Sequence, residues 1–94
     1  MIVVGGEFEV DPDQRDAFID ERLELMRASR SEPGCLEYTF AADPLVPGRV
    51  VLYERWDDQA SLDAHLAAIR ASTVIAPRSA SIVLYDVAGE RPLR

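Results

Sequence analysis

Val50-Val51-Leu52-Tyr53 and Ile82-Val83-Leu84-Tyr85 are two short runs that are apolar at every position. Successive side chains of an extended chain point to opposite faces, so each run reads as a strand with two apolar sides. One side can face helices of the same chain; the other needs a separate cover. Working outward, residues 49–56 form one strand and residues 81–88 another, followed by a tail over 89–94. Residues 36–42 are a strand ahead of a Pro- and Gly-containing loop, 43–48. Asp57 or Asp58 caps a helix running to about Ala71, and 72–79 is irregular, broken by Pro77. Residues 2–10 open the chain as a strand with Val4, Phe8 and Val10 on one face and Val3, Glu7 and Glu9 on the other. Asp11-Pro12 starts the first helix, with Asp11 as N-cap and Pro12 at the first helical position. That helix runs to about Ser31 and stops before Glu32-Pro33-Gly34, because Pro33 disfavours the helical conformation at Glu32.

The resulting order is β-α-β-β-α-β. It is the split-βαβ, ferredoxin-like α+β arrangement, with both helices on one face of an antiparallel sheet. The helix-free face would be polar in a monomer, yet both quoted runs make it apolar. A second copy's sheet is the simplest cover, so two protomers are expected to pair as a homodimer through that outer face.

Ninety-four residues make a single domain, 1–94. At this size only roughly 60–65% of the unfolded surface can be buried, so the core is thin and association helps. Hydrophobic residues at 48% and charged residues at 29% fit a globular protein. The net charge of −7, carried with ten arginines and no lysine, argues against a nucleic-acid or anionic-membrane surface. That arginine bias suggests a GC-rich bacterial genome. A lone cysteine, Cys35, excludes a disulfide framework and makes a cytoplasmic location the expectation. The start MIVVGGEFEV lacks a basic leader and breaks at Glu7, which suits a strand rather than a signal peptide. No apolar stretch approaches the roughly 18 residues of a membrane span.

A few polar groups fall among apolar ones. On a helical wheel with Phe18 at zero, Arg22 lies near 40°, inside the stripe made by Leu25, Met26 and Ile19, at about 100° per residue. Its head either snorkels to water or points into a cavity toward a carboxylate or an anionic ligand. His65 borders the stripe Leu62, Leu66 and Ile69 of the second helix and is the chain's only histidine. It is either a boundary residue with one hydrogen bond or a group that exchanges protons near neutral pH. Alternation places Glu54 in line with Val50, Leu52 and Trp56, with Arg22, His65 or solvent as its available partners. Tyr38 shares a face with Leu36 and Phe40 and brings a phenol that needs a partner when buried. Gly5-Gly6 lies inside a strand and is no phosphate loop; there is no GxSxG elbow. Cys35 reads as a small buried residue.

Several of these positions belong to one pattern: Glu32-Pro33-Gly34-Cys35 and Tyr38, Asp43-Pro44, Pro47-Gly48, Tyr53-Glu54-Arg55-Trp56, and Asp63-Ala64-His65-Leu66. The pattern resembles the antibiotic biosynthesis monooxygenase (ABM) domain family of the dimeric α+β barrel superfamily, and the likeness extends more weakly over the whole chain. The resemblance implies a protomer whose sheet pairs with a second to close a barrel. It also implies a pocket between helices and sheet near Tyr38, Glu54, Trp56 and His65. Characterised members oxygenate phenols or quinols with dioxygen and use no metal, flavin or haem, so no cofactor is expected. Related branches degrade haem or act on small signalling molecules. The chain departs from the family in its short segment between His65 and the last strand, where residues 71–79 replace a longer helical stretch. The haem-degrading pattern is not matched, since His65 stands where those members place tryptophan and no later histidine follows.

These readings combine into an expected cofactor-independent monooxygenase acting on a small aromatic or quinol-type substrate with dioxygen. His65 is the candidate base, with Glu54 as its orienting partner and Arg22 as the oxyanion partner. Tyr38, Trp56, Phe18 and Leu66 are the candidate substrate-binding residues. The alternatives are a non-enzymatic dimeric small-molecule-binding or accessory protein, and an isomerase or lyase using the same pocket without oxygen.

Overall fold

The computed structural model describes residues 1–70 and 72–94. Strand β1 spans Ile2–Glu9, followed by a 3₁₀ turn at Pro12–Gln14 and helices α1, Arg15–Asp20, and α2, Leu23–Arg30. Strands β2, Cys35–Ala42, and β3, Arg49–Trp56, then precede helix α3, Gln59–Ala68, and strand β4, Ser79–Asp86. All neighbouring strands are antiparallel and the sheet order is β2-β3-β1-β4. This is the ferredoxin-like α+β architecture expected from the alternation of the elements.

The helices lie over β2 and β3. Tyr38, Phe40, Val50, Leu52, Glu54 and Trp56 on the covered face are all buried, together with Ile2 and Val4 of β1. β4 meets β1 edge to edge, with Leu84 opposite Val4 and Ile82 opposite Gly6. Among the described residues no helix packs on it as the helices pack on β2 and β3, and every one of its residues is exposed. Gly6 lets β1 lie close to the side chains of both neighbouring strands, since a Cβ there would stand 3.2 Å from the Leu52 Cβ of β3 and 3.4 Å from Ile82 Cγ1 of β4.

Three boundaries differ from the sequence reading by more than one residue. The single helix expected up to Ser31 is two helices, interrupted at Glu21 and Arg22. The reason lies in Arg22 itself. Its Nη1 donates to the Phe18 carbonyl at 2.8 Å, the acceptor its own backbone N–H would use in a regular helix. That N–H turns instead to the Ile19 carbonyl at 2.9 Å. The Glu21 carboxylate meanwhile accepts the backbone N–H groups of Val74 and Ile75, at 2.8 and 2.9 Å. The second helix stops at Ala68, short of the expected end at Ala71, which lies outside the described residues. β4 begins at Ser79 and ends at Asp86, two residues ahead of the expected span.

Local chemistry explains the remaining ends. Asp11 accepts from the Asp13 N–H at 2.9 Å to open the first turn. Asp58 caps α3 by accepting from the backbone N–H and the hydroxyl of Ser61, at 2.8 and 2.7 Å. These bonds hold its carboxyl below the usual carboxylate range. Gly34 adopts φ +80° against Ser61, where any Cβ would collide with the serine side chain. Its carbonyl accepts from the Asp57 N–H at 2.9 Å. The Glu32-Pro33-Gly34 turn is thereby clamped to the first turn of α3, one helical turn before His65.

Candidate functional site

A cavity of about 430 Å³ lies between the sheet and the helices. Val4, Leu52 and Glu54 line its sheet side, Arg22 and Leu25 line it from the first helical pair, and Leu62, His65 and Leu66 from α3. Tyr38 and Phe40 come from β2. Ile82 and Leu84 of the uncovered strand complete the wall, so the rim is open where those residues and Leu66 are exposed. Five of the seven expected site residues therefore meet here: Arg22, Tyr38, Glu54, His65 and Leu66. Trp56 and Phe18 do not line the cavity, and both are fully buried behind it. The Trp56 ring backs His65 with centroids 4.7 Å apart, and Phe18 lies beneath the Arg22 guanidinium, 3.4 Å from it. Their contribution is to hold the wall residues.

His65 is 2% exposed. Its Nδ1 lies 2.6 Å from Oε1 of Glu32. An ionised carboxylate can only accept, so in this pairing Nδ1 is the donor. The Tyr38 and Trp56 rings pack against the imidazole, the former at 5.3 Å between centroids. Glu54 was the expected orienting partner, and it is not the group bonded to His65. Its Oε1 instead accepts from Trp56 Nε1–H at 2.9 Å; alternation places the two residues on the same face of β3 but does not specify this bond. Burial pushes the Glu54 carboxyl above its ordinary value, opposed by the Trp56 hydrogen bond and by the nearby His65. Burial and the charge of Glu54 likewise push the Tyr38 phenol upward, so it is a neutral hydrogen-bonding group.

Arg22 resolves into the cavity reading, with a difference. The residue is 9% exposed and does not snorkel. It pairs with no cavity carboxylate either; it stacks on Phe18 and donates to the Phe18 carbonyl. Nη2 reaches the Ile75 carbonyl only at 3.5 Å, and Glu21 stands 3.8 Å from Nη1. Burial lowers its pKa from the ordinary arginine value, which leaves it a cation at neutral pH. Cys35 is partly buried, and burial with the charge of Glu32 raises its thiol, as expected of a packing residue.

A second cavity of about 430 Å³ lies at the far end of β1, lined by Glu7, Glu9, Arg49 and Arg78 among others. Its arginines are already engaged, Arg49 by Glu7 and Asp43 and Arg78 by Asp11. The helix–sheet cavity is the better candidate, because it gathers the imidazole, a buried carboxyl and a cation among apolar walls. Among the described residues there is no group of three or more His, Cys, Asp and Glu that could hold a metal, and no helix is long and apolar enough to cross a membrane.

The family model described as antibiotic biosynthesis monooxygenase matches residues 1–72. The chain belongs to the antibiotic biosynthesis monooxygenase family. It is 32% identical to the uncharacterised Synechocystis protein sll1783 over 98% of this chain and 67% of that protein. A crystal structure of an antibiotic biosynthesis monooxygenase superposes with a TM-score of 0.79 at 32% identity, covering 95% of this chain and all 100% of the other. Rv0793 from Mycobacterium tuberculosis shares the fold, with a TM-score of 0.77 at 21% identity over 97% of this chain and 98% of that one. The family match ends at residue 72, after α3. Beyond it, residues 72–78 contribute Ile75 to the core and leave Ile82 and Leu84 exposed at the open rim.

Sequence reasoning missed Glu32 as a site residue, although the residue stood inside the quoted turn. Glu32 and His65 are 33 positions apart, and no periodicity connects a turn to a helix face. The usable signal was a histidine at the edge of an apolar stripe with no partner on its own helix.

Proposed function

We propose that the protein is a cofactor-independent monooxygenase that oxidises a small aromatic, quinol-type substrate with dioxygen. The observation that carries this reading is the cavity wall, where the chain's only imidazole stands beside Tyr38, Glu54 and Arg22 in apolar surroundings. An aromatic ring would lie against Leu52, Leu62 and Phe40. His65, with Nδ1 occupied by Glu32, would accept the phenolic or ring-adjacent C–H proton at Nε2. The electron-rich anion then reduces dioxygen. One oxygen atom enters the product and the other leaves as water, so a CH₂ group becomes a carbonyl and the substrate supplies the electrons. Arg22, whose Nη2 has only a long bond to Ile75, has donor capacity for the developing oxyanion. Glu54 is a second acid–base group at the same wall.

The reading includes a homodimer formed through the outer sheet face. Its support is the apolar content of that face: Val83 and Tyr85 are 44% and 54% exposed, and Tyr53 is 44% exposed two strands away. Light scattering at micromolar concentration should give twice the chain mass; a monomer mass would remove this part.

The decisive experiment is oxygen uptake with a panel of hydroquinones and anthrone-type substrates. On a true substrate, His65→Ala should lower kcat/KM by about 10²–10⁴-fold. Full retention would remove His65 as the base. Tight ligand retention without oxygen uptake would favour a binding protein, and turnover unaffected by anaerobic conditions would favour an isomerase or lyase.

A further inference from the structure

Glu32 belongs to the turn before β2, and its side chain is 26% exposed while that of His65 is 3% exposed. His65 lines the main cavity and also two outer clefts of about 340 and 270 Å³. Glu32 lines both outer clefts and not the cavity. The imidazole is thus a partition, with its apolar cavity on one side and its carboxylate partner reached from water on the other. Among the described residues Nε2 makes no hydrogen bond, while Nδ1 is bonded at 2.6 Å.

We propose that Glu32 is the positioning residue of the site. It fixes the Nδ1–H tautomer of His65, keeps the Nε2 lone pair available to the cavity, and balances the imidazolium that forms when Nε2 takes a proton. In this step the substrate's C–H or O–H bond breaks, Nε2–H forms, and Nδ1–H remains bonded to the Glu32 carboxylate. A free imidazole prefers the opposite tautomer, with the proton on Nε2, which would abolish the base. Gly34 is part of the device, since its left-handed backbone docks the turn on Ser61 and so brings Glu32 to α3. The catalytic consequence rests on the monooxygenase reading; the tautomer claim does not.

Because the chain has one histidine, ¹⁵N imidazole spectra report on this site without overlap. The wild-type protein should show a protonated Nδ1 and an unprotonated Nε2 at pH values where the ring is neutral. Glu32→Gln should retain that tautomer, because the amide oxygen still accepts, yet lose about 10- to 100-fold in kcat with little change in KM, since the imidazolium loses its counter-charge. Glu32→Ala should populate Nε2–H. Its vacated space opens on the outer clefts, so formate should restore both the Nδ1–H signature and part of the rate. A wild-type ring protonated on Nε2, or a Glu32→Ala ring still protonated only on Nδ1 without formate, would overturn the proposal. Spectra that behave as described while His65→Ala retains full oxygenation would leave the pairing standing and sink the monooxygenase base instead.

Discussion

Val50-Val51-Leu52-Tyr53-Glu54 and Ile82-Val83-Leu84-Tyr85-Asp86 are nearly the same peptide in two different environments. In β3 the first, third and fifth residues are buried, with Val50 0%, Leu52 6% and Glu54 6% exposed. In β4 the equivalent Ile82 and Leu84 are 55% and 43% exposed. Both sets point to the helix side of the sheet, since Val4 pairs with Glu54 across one edge and with Leu84 across the other. The difference is position. β3 lies between β2 and β1 beneath α1 and α3, while β4 has one strand neighbour and no helix over it. Apolar sequence makes a strand eligible for burial, and topology decides whether burial happens. Here the exposed copy became the open rim of the cavity.

Truncating the matched leucines is the strongest way to break this contrast. Leu52→Ala should cost about 2–4 kcal/mol in urea unfolding, through lost burial and a residual cavity. Leu84→Ala should cost under about 1 kcal/mol, since it already faces water. Equal costs would mean that β4 is covered in solution by something beyond its own chain. A smaller effect is expected on the outer face. Tyr85→Glu should weaken the proposed dimer by at least about tenfold in Kd, roughly 1.4 kcal/mol, read by sedimentation equilibrium. Its counterpart at the same place in the peptide is Tyr53, on the same face.

The matched acids give the smallest and most selective test. The folded state raises the Glu54 carboxyl above its ordinary value of 4.5. Such a group favours the fold most when protonated, and that contribution is lost as pH rises through the raised value. Glu54→Gln keeps an acceptor for Trp56 and removes the ionisation cost. Its Tm should exceed that of the wild-type protein by a few degrees near neutral pH, the response to roughly 1 kcal/mol in a domain of this size. The gain should vanish below pH 4.5. Asp86→Asn, on the exposed copy, should leave Tm within the roughly 0.5 kcal/mol typical of surface changes. A gain at neutral pH from Asp86→Asn as large as that from Glu54→Gln would show that burial is not what separates the two strands.

Much of the site was legible one-dimensionally because its residues sit on regular elements. Alternation put Glu54 on the buried face of β3 and Tyr38 on that of β2, and helical periodicity put Arg22 and His65 at apolar stripes. What periodicity cannot supply is a partner. Glu54 takes Trp56, two residues on, and His65 takes Glu32 from a turn. Arg22 was legible as an anomaly, but its bond to the Phe18 carbonyl, which breaks the first helix, depends on which way a long side chain curls.

By itself, then, the sequence determined the βαββαβ order, the strand faces and the family pattern, because backbone periodicity and turn chemistry are local. Tertiary structure alone decided which of two near-identical strands is buried and which carboxylate holds the histidine. Both outcomes depend on contacts between chain segments more than thirty residues apart, where the sheet order and the Gly34 turn set distances that no local pattern encodes.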